Sequence, residues 1–451
     1  MNNNRPLRLR YALGVLSFFA LLALAGLLSI ALPKPAFSGL EGRSLEKRPA
    51  FSLRALALEH YPDGVSRWYS DTFPAREWFV GLSSALRGAR GVGGRDGASI
   101  HFGVGSLQDF EDPEEPPADG PAGEPDPAAP IEDPTARPAA TEEATAPPVP
   151  DIEGEVKSGV LIVGDTAMEM YGYYAPALRR YAAVVNRFAK TYRIPTSVLV
   201  TPTNVEFKLP ARYKSMSADQ KKALEFLGEL LDESINNVWV YDTMARHSGE
   251  YVYFRTDHHW TGLGAHYAYL EFCKSRGFDA APIESYETWE HTPYLGSLYR
   301  AVGGDAKLKA NPDTLTVYGV RLPYEMYCYR NGPDKAAQRD YLSKKPEAMK
   351  NYNEKYGAFT SGDPPYTKII VENNTGRKLL LIRESYAAAM TPFLVENYDE
   401  IHVVDFRYYR SDIGKLIREA GITEALFLNY ISAAGSSTQM GRMERMFGWG
   451  S

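Results

Sequence analysis

The chain has 451 residues, a formal net charge of −6 and two cysteines, Cys273 and Cys328. That length allows a core domain of roughly 200–250 residues with appendages, while two cysteines exclude a disulfide framework or a thiolate metal cage and leave a Cys273–Cys328 pair as the one possible bridge. Fifteen acidic residues between Asp109 and Glu155 face Arg137 alone, a net of −14 that leaves +8 on the rest of the chain, and no basic stripe interleaved with aromatics points to nucleic acid.

In chain order, residues 1–10 form a short tail with Arg5, Arg8 and Arg10 as its only charges, and an uncharged apolar run over 11–33 ends at Lys34. At about 1.5 Å per residue, roughly 20 such residues cross the ~30 Å hydrocarbon core of a bilayer. The excess of arginine before the run predicts a cytoplasmic N-terminus and an exported body, a single-pass protein of the cell membrane. A cleavable signal peptide is the competing reading, but its apolar stretch is usually about 7–15 residues, and no Ala-x-Ala site follows Leu32. Residues 40–105 are expected to form a juxtamembrane region, with the aromatic segment Trp68–Arg76 and a helix over 77–90. Residues 106–155, almost wholly Pro, Ala, Gly, Thr, Asp and Glu across 111–151, cannot bury enough apolar surface to offset their ordering entropy. They read as a disordered acidic linker.

The folded body is expected over 156–451. Its signals alternate: an apolar strand at 160–163, a helix at 176–192, a strand at 196–201, a helix at 218–232, a strand at 237–241 and a helix at 262–276. After a loop-rich stretch (280–365) come strands at 378–382, 401–405 and 425–429, with a helix at 386–397 between the first two. Alternating strands and helices predict an α/β sandwich on a mostly parallel sheet, whose chemistry sits at the carboxyl ends of the strands.

Two segments supply that chemistry. Thr256-Asp257-His258-His259-Trp260 offers a carboxylate two residues before an imidazole, and Ser385 stands at a predicted strand–turn–helix junction. A serine hydroxyl becomes a useful nucleophile when a neighbouring base takes its proton and a carboxylate fixes that base, in whatever chain order the three occur. Backbone N–H groups near Tyr386 would serve an oxyanion, and Asn429, at the end of the last strand, offers an amide; with His258 these are the candidates for oxyanion or substrate contact. Blander readings stand beside each. Ser385 also reads as a helix cap, the histidines also as satisfied groups in a buried turn, and metal binding by Asp257, His258 and His259 is a third option that the missing distant ligands disfavour. Gly164-Asp165-Thr166 imitates the Gly-Asp-Ser block of lipase-like hydrolases but has threonine in the serine position, so it reads as a turn.

Taken together, the Trp68–Arg76 segment, Thr201-Pro202-Thr203 with Leu209-Pro210, Asp257-His258-His259-Trp260-Thr261, Glu384-Ser385-Tyr386-Ala387 with Pro392-Phe393-Leu394, and Val404–Tyr409 resemble the bacterial DHHW proteins, relatives of the SGNH-hydrolase-like alginate O-acetylation proteins. The resemblance implies an SGNH-like three-layer fold with rearranged motif order, in which Asp257 and His259 are the acid and base and Ser385 the nucleophile. It implies acetyl transfer to, or removal from, an exported or cell-wall polysaccharide, with a polytopic membrane O-acyltransferase as partner and no cofactor. Arg383-Glu384 before the serine, and Asn204 where lysine is common, depart from that pattern. The alternative is a non-catalytic envelope-assembly or glycan-binding protein on the same fold.

Overall fold

The computed structural model describes residues 146–348 and 352–449, together with positions 37–38, 43–44, 48, 65, 68–69 and 72. The expected tail at 1–10, anchor at 11–33, most of the juxtamembrane region and the linker up to 145 lie outside the described residues; within them, no helix is long and apolar enough to cross a membrane. The chain divides into two compact units, 1–97 and 98–451. In the first, Phe37–Ser38 pairs antiparallel with Arg43–Ser44, and the Thr72 hydroxyl donates to the Trp68 carbonyl at 2.7 Å.

The second unit is built on an eight-stranded sheet. Its strands lie in the order Gln338–Asp340, Tyr324–Tyr329, Tyr366–Val371, Glu400–Asp405, Lys378–Arg383, Glu424–Tyr430, Thr196–Thr201, Asn236–Asn237. The last five run parallel, as expected; the first three add on antiparallel, so the sheet is mixed. Alternate side chains feed two cores. Val198, Val200, Leu380, Ile382 and Phe427 pack against the helices Ala175–Tyr192, Gln220–Leu230, Ile413–Ala420 and Ser437–Met446. Leu199, Leu379, Leu381, Val403 and Leu428 pack against the helix Gly262–Arg276 and the two-stranded sheet Thr288–Tyr294/Asp313–Tyr318. Covering both faces makes three layers, and explains why Lys378–Arg383 reads as an unbroken apolar run rather than an alternating one.

Several expectations are corrected. The strand Val160–Val163 belongs to a separate antiparallel sheet, Gly154–Lys157, Val160–Val163 and Thr166–Glu169. Ser158 and Gly159, both at positive φ (50° and 80°), make the tight turn that folds the first two back on each other. The strand expected at 237–241 stops at Asn237 and gives way to a helix, Tyr241–Arg246. The helix expected at 386–397 is three short turns, Ser385–Ala389, Thr391–Leu394 and Val395–Asn397, because Pro392 has no N–H to carry the ladder through. The supposedly loop-rich stretch holds four strands. Cys273 and Cys328 are buried and unpaired.

Candidate active site

Strand register decides which chain ends meet. Arg383 pairs with Asp405 on one side and Leu428 on the other, all parallel, so the turns starting at Glu384 and Phe406 leave the sheet side by side, next to the last two residues of Glu424–Tyr430. Ser385 stands at the exit of the middle strand. The loop Tyr253–Trp260, closed by an isolated bridge between those two residues, reaches the same edge.

There His259 Nε2 lies 2.8 Å from Ser385 Oγ, and His259 Nδ1 lies 2.6 Å from Asp257 Oδ1. Asp257 is the most heavily fastened group in the site. Its Oδ1 also accepts the His259 backbone N–H at 2.9 Å, and Oδ2 accepts the Tyr294 hydroxyl and the Ser297 N–H, each at 2.7 Å. Burial works to raise this carboxyl, but His259, His258 and the Ser297 N–H outweigh it and hold it well below the usual carboxylate range. An ionised Asp257 keeps the proton on Nδ1, which leaves Nε2 free to accept from Ser385. Tyr356 stacks on the His259 ring at 3.8 Å between centroids, and Trp260 donates its indole N–H to the Tyr386 carbonyl at 2.8 Å.

The loop is held from a distance. Asp313, fully buried, accepts the Thr256 N–H at 2.7 Å and its hydroxyl at 2.6 Å. Gly296 lies so close that a Cβ there would sit 2.2 Å from the Asp257 Cβ. Asp313, Gly296, Tyr294 and Ser297 all come from the stretch that shows no strong period in the sequence. The one signal pointing to it is the alternation in Thr314-Leu315-Thr316-Val317, which the structure shows as a half-buried strand.

His258 faces a different partner: its Nδ1 lies 2.6 Å from Ser297 Oγ, and its ring is 3.8 Å from that of His259. Burial first, then the neighbouring His259, lowers it to about 3, so it is a neutral imidazole. Donor atoms of Asp257, His258 and His259 lie within 4.8 Å of one another, the metal-ligand alternative raised above. Both Asp257 oxygens and the Nδ1 atoms of both rings are already engaged in hydrogen bonds.

The two other expected oxyanion groups differ: the Tyr386 N–H is already engaged, whereas the Asn429 amide nitrogen is buried with no partner among the described residues. The Tyr386 N–H donates to Glu384 Oε2 at 2.9 Å, because the residue before the serine folds back as a cap. Asn429 is fully buried one residue short of the strand end, and its Oδ1 accepts the Tyr181 hydroxyl at 2.9 Å. Glu384, in the sequence both part of the resemblance and a departure from its pattern, touches the Ser385 side chain. Its Oε2 lies 3.3 Å from Ser385 Oγ and its Oε1 accepts the Tyr430 N–H at 3.2 Å. Burial raises its carboxyl against the opposing pull of Arg407. Behind it, Arg383 contacts Asp363 and lies 3.7 Å from Asp405, and Arg407 grips Asp405 at 2.9 and 2.7 Å, tying the neighbouring strand ends together. Gly164-Asp165 is a turn, as expected; Asp165 accepts Arg255 Nη1 at 3.2 Å at the root of the histidine loop.

A crystal structure of a DHHW family protein from Eubacterium siraeum superposes with a TM-score of 0.60 at 28% identity, covering 65% of this chain and 98% of that one. Bacillus cereus PatB1 superposes with a TM-score of 0.52 at 16% identity over 64% of this chain and 98% of its own, and a structure of PatB1 with a sulfonyl adduct does so at 0.51. At that identity the likeness speaks for the fold alone. The O-acetyltransferase domain of Pseudomonas putida AlgJ, at 13% identity and a TM-score of 0.37, is too distant to carry an argument. No curated protein matches the sequence. The DHHW protein family model matches residues 144–404, more than half of the chain and including the loop it is named for, and the protein belongs to that family.

Proposed function

We propose that the protein is a serine-dependent O-acyltransferase or acyl esterase of a cell-envelope or exported polysaccharide. The observation that supports this reading most is the unbroken chain from Asp257 through His259 to the Ser385 hydroxyl, at 2.6 and 2.8 Å. His259 takes the Ser385 proton as Oγ attacks the acyl carbonyl, and Asp257 stabilises the resulting imidazolium. The tetrahedral intermediate then collapses, and the donor's alcohol leaves with the proton from His259. In the second half His259 takes a proton from a sugar hydroxyl, or from water, whose oxygen attacks the acyl-enzyme ester. Collapse returns the proton to Ser385 and releases the acylated sugar or the free acid. With Tyr386 N–H occupied by Glu384, the oxyanion takes its donors elsewhere, the Ser385 N–H first among them.

On this reading the segment at 11–33 anchors the protein in the cell membrane with its N-terminus in the cytoplasm, and the domain works outside. An acetyl donor on that side comes from a polytopic membrane O-acyltransferase. The test is covalent labelling of Ser385 by phenylmethylsulfonyl fluoride, followed by mass spectrometry. A wild-type chain that takes no label under conditions that label chymotrypsin overturns the enzymatic reading and leaves an envelope-assembly or glycan-binding role.

A further inference from the structure

One carboxyl, on the separate three-stranded sheet, is used by neither the fold nor the acyl-transfer scheme. Within the strand Thr166–Glu169, Ala167 donates its N–H to the Arg255 carbonyl at 2.7 Å, and its own carbonyl accepts Asn204 Nδ2 at 3.0 Å. The strand is thereby fastened both to the loop that carries His259 and to the turn after Thr196–Thr201. Side chains alternate along it. Ala167 packs in a small cluster with Leu298, Met168 turns into the main core, and Glu169 returns to the Ala167 side. That side faces the short helix Ser297–Ala301, whose first residue holds Asp257 and His258.

Glu169 is only partly exposed. Among the described residues no donor and no cation bears on its carboxyl, and burial alone pushes it up to about 7. Its charge reaches the phenol of Tyr430. The Tyr430 ring stacks on that of Tyr386 at 4.6 Å and lies 5.9 Å from the His258 ring, and its backbone N–H is held by Glu384, the neighbour of Ser385. A desolvated carboxyl without partners is unfavourable in a resting fold. It becomes useful when a ligand brings its own donors. Sugar hydroxyls are such donors, and the Tyr430 ring, which feels the Glu169 charge, suits the C–H surface of a pyranose.

We propose that Glu169 and Tyr430 form the acceptor subsite: the Glu169 carboxylate takes hydrogen bonds from pyranose hydroxyls, Tyr430 walls the ring, and a neighbouring hydroxyl is held toward the acyl ester on Ser385. This rests on the acyl-enzyme reading and names the kind of acceptor it uses. Glu169 acts on the second half-reaction only.

Full-length protein and the variants Glu169→Gln and Glu169→Ala are compared in three measurements. Phenylmethylsulfonyl fluoride labelling reports the state of Ser385. Acetyl transfer from p-nitrophenyl acetate to cellopentaose, chitopentaose and xylopentaose, read by mass spectrometry, gives KM for the acceptor. Denaturant unfolding at pH 8 reports the fold. The variants are expected to label at the wild-type rate, to unfold at the wild-type midpoint or above it, and to raise the acceptor KM roughly tenfold to a hundredfold, the loss of a hydrogen bond to a charged group. An unchanged acceptor KM overturns the proposal. So does a wild type that labels but acetylates none of the three sugars, and so does a lower unfolding midpoint in both variants, which would make Glu169 a structural residue. A wild type that takes no label removes the acyl-enzyme reading itself, and the subsite with it.

Discussion

The loop that carries His259 and the turn that carries Ser385 are each organised around one buried carboxylate, and the two carboxylates behave in opposite ways. Asp257 receives four donors, from Tyr294, Ser297 and twice from His259, and is held ionised. Glu384 receives two backbone N–H groups, with the Ser385 hydroxyl at a longer 3.3 Å and Arg407 bearing on it only through its charge, and burial raises it. Burial is nearly the same for both, 2% and 3% exposed, so the difference lies in the partners. A carboxylate stays charged in a dry site when enough donors replace its water. The two halves of the site therefore have distinct physical tasks: one fixes a charge that steers an imidazole, and the other uses an acid group to fold a turn.

Tyr386 bonds to Trp260 and to His258 across the halves, but only the hydrogen bond between His259 and Ser385 joins the groups proposed to react, and breaking it has the largest expected effect. Ser385→Ala should lower p-nitrophenyl acetate turnover by about 10⁴-fold or more, with the unfolding midpoint unchanged. Turnover within tenfold of wild type would detach the serine from the chemistry. Next comes the charge on the histidine side. Asp257→Asn preserves shape but no longer dictates which ring nitrogen carries the proton, and kcat should fall roughly 10³–10⁴-fold. A fall equal to that of the serine variant would sharpen the comparison by showing that the three residues act as one unit.

Geometry on the same side is tested at Gly296. Its φ of −87° is open to any residue, so the demand for glycine is purely one of space beside Asp257. Gly296→Ala should displace the carboxylate and lower kcat/KM about a hundredfold, the scale expected of a misplacement near 1 Å, and destabilise by about 1–3 kcal/mol. Wild-type kinetics in that variant would mean that Asp257 tolerates movement.

The two halves were also unequally legible. Asp257, His259 and Ser385 stand out in the sequence because their chemistry is rare in that spacing, and the strand Lys378–Arg383 stands out because a sheet buried on both faces leaves an apolar run. What fixes Asp257 was not legible, since Tyr294, Gly296, Ser297 and Asp313 lie 37 to 57 residues from their partners in the Thr256–Asp257 pair. Their strands are short, and Thr288–Tyr294 has only two fully buried positions, so neither period asserts itself. The role of Glu384 was hidden for a different reason. A glutamate before a helix-starting serine looks like a solvated residue, and only the parallel exit of Glu424–Tyr430 brings a second backbone N–H to it.

The smallest effect separates the two carboxylates by the sign of their pH dependence. Asp257 is depressed below its ordinary 3.8 in the folded chain. Its contribution to stability is thus complete above that value and is lost as pH falls through it toward the lower folded value. Glu384 is raised above its ordinary 4.5, so the folded chain binds that proton more tightly than the unfolded chain. Its ionisation works against folding, with no effect below 4.5 and a growing one as pH rises beyond it. Denaturant unfolding of the wild type, Asp257→Asn and Glu384→Gln across pH 3 to 8 reads both. The advantage of the wild type over Asp257→Asn should shrink on the acid side. Its advantage over Glu384→Gln, set at low pH by the N–H group the amide cannot accept from and worth about 1–3 kcal/mol, should shrink as pH rises. If both differences moved in the same direction, the number of donors would not be what separates these two carboxylates.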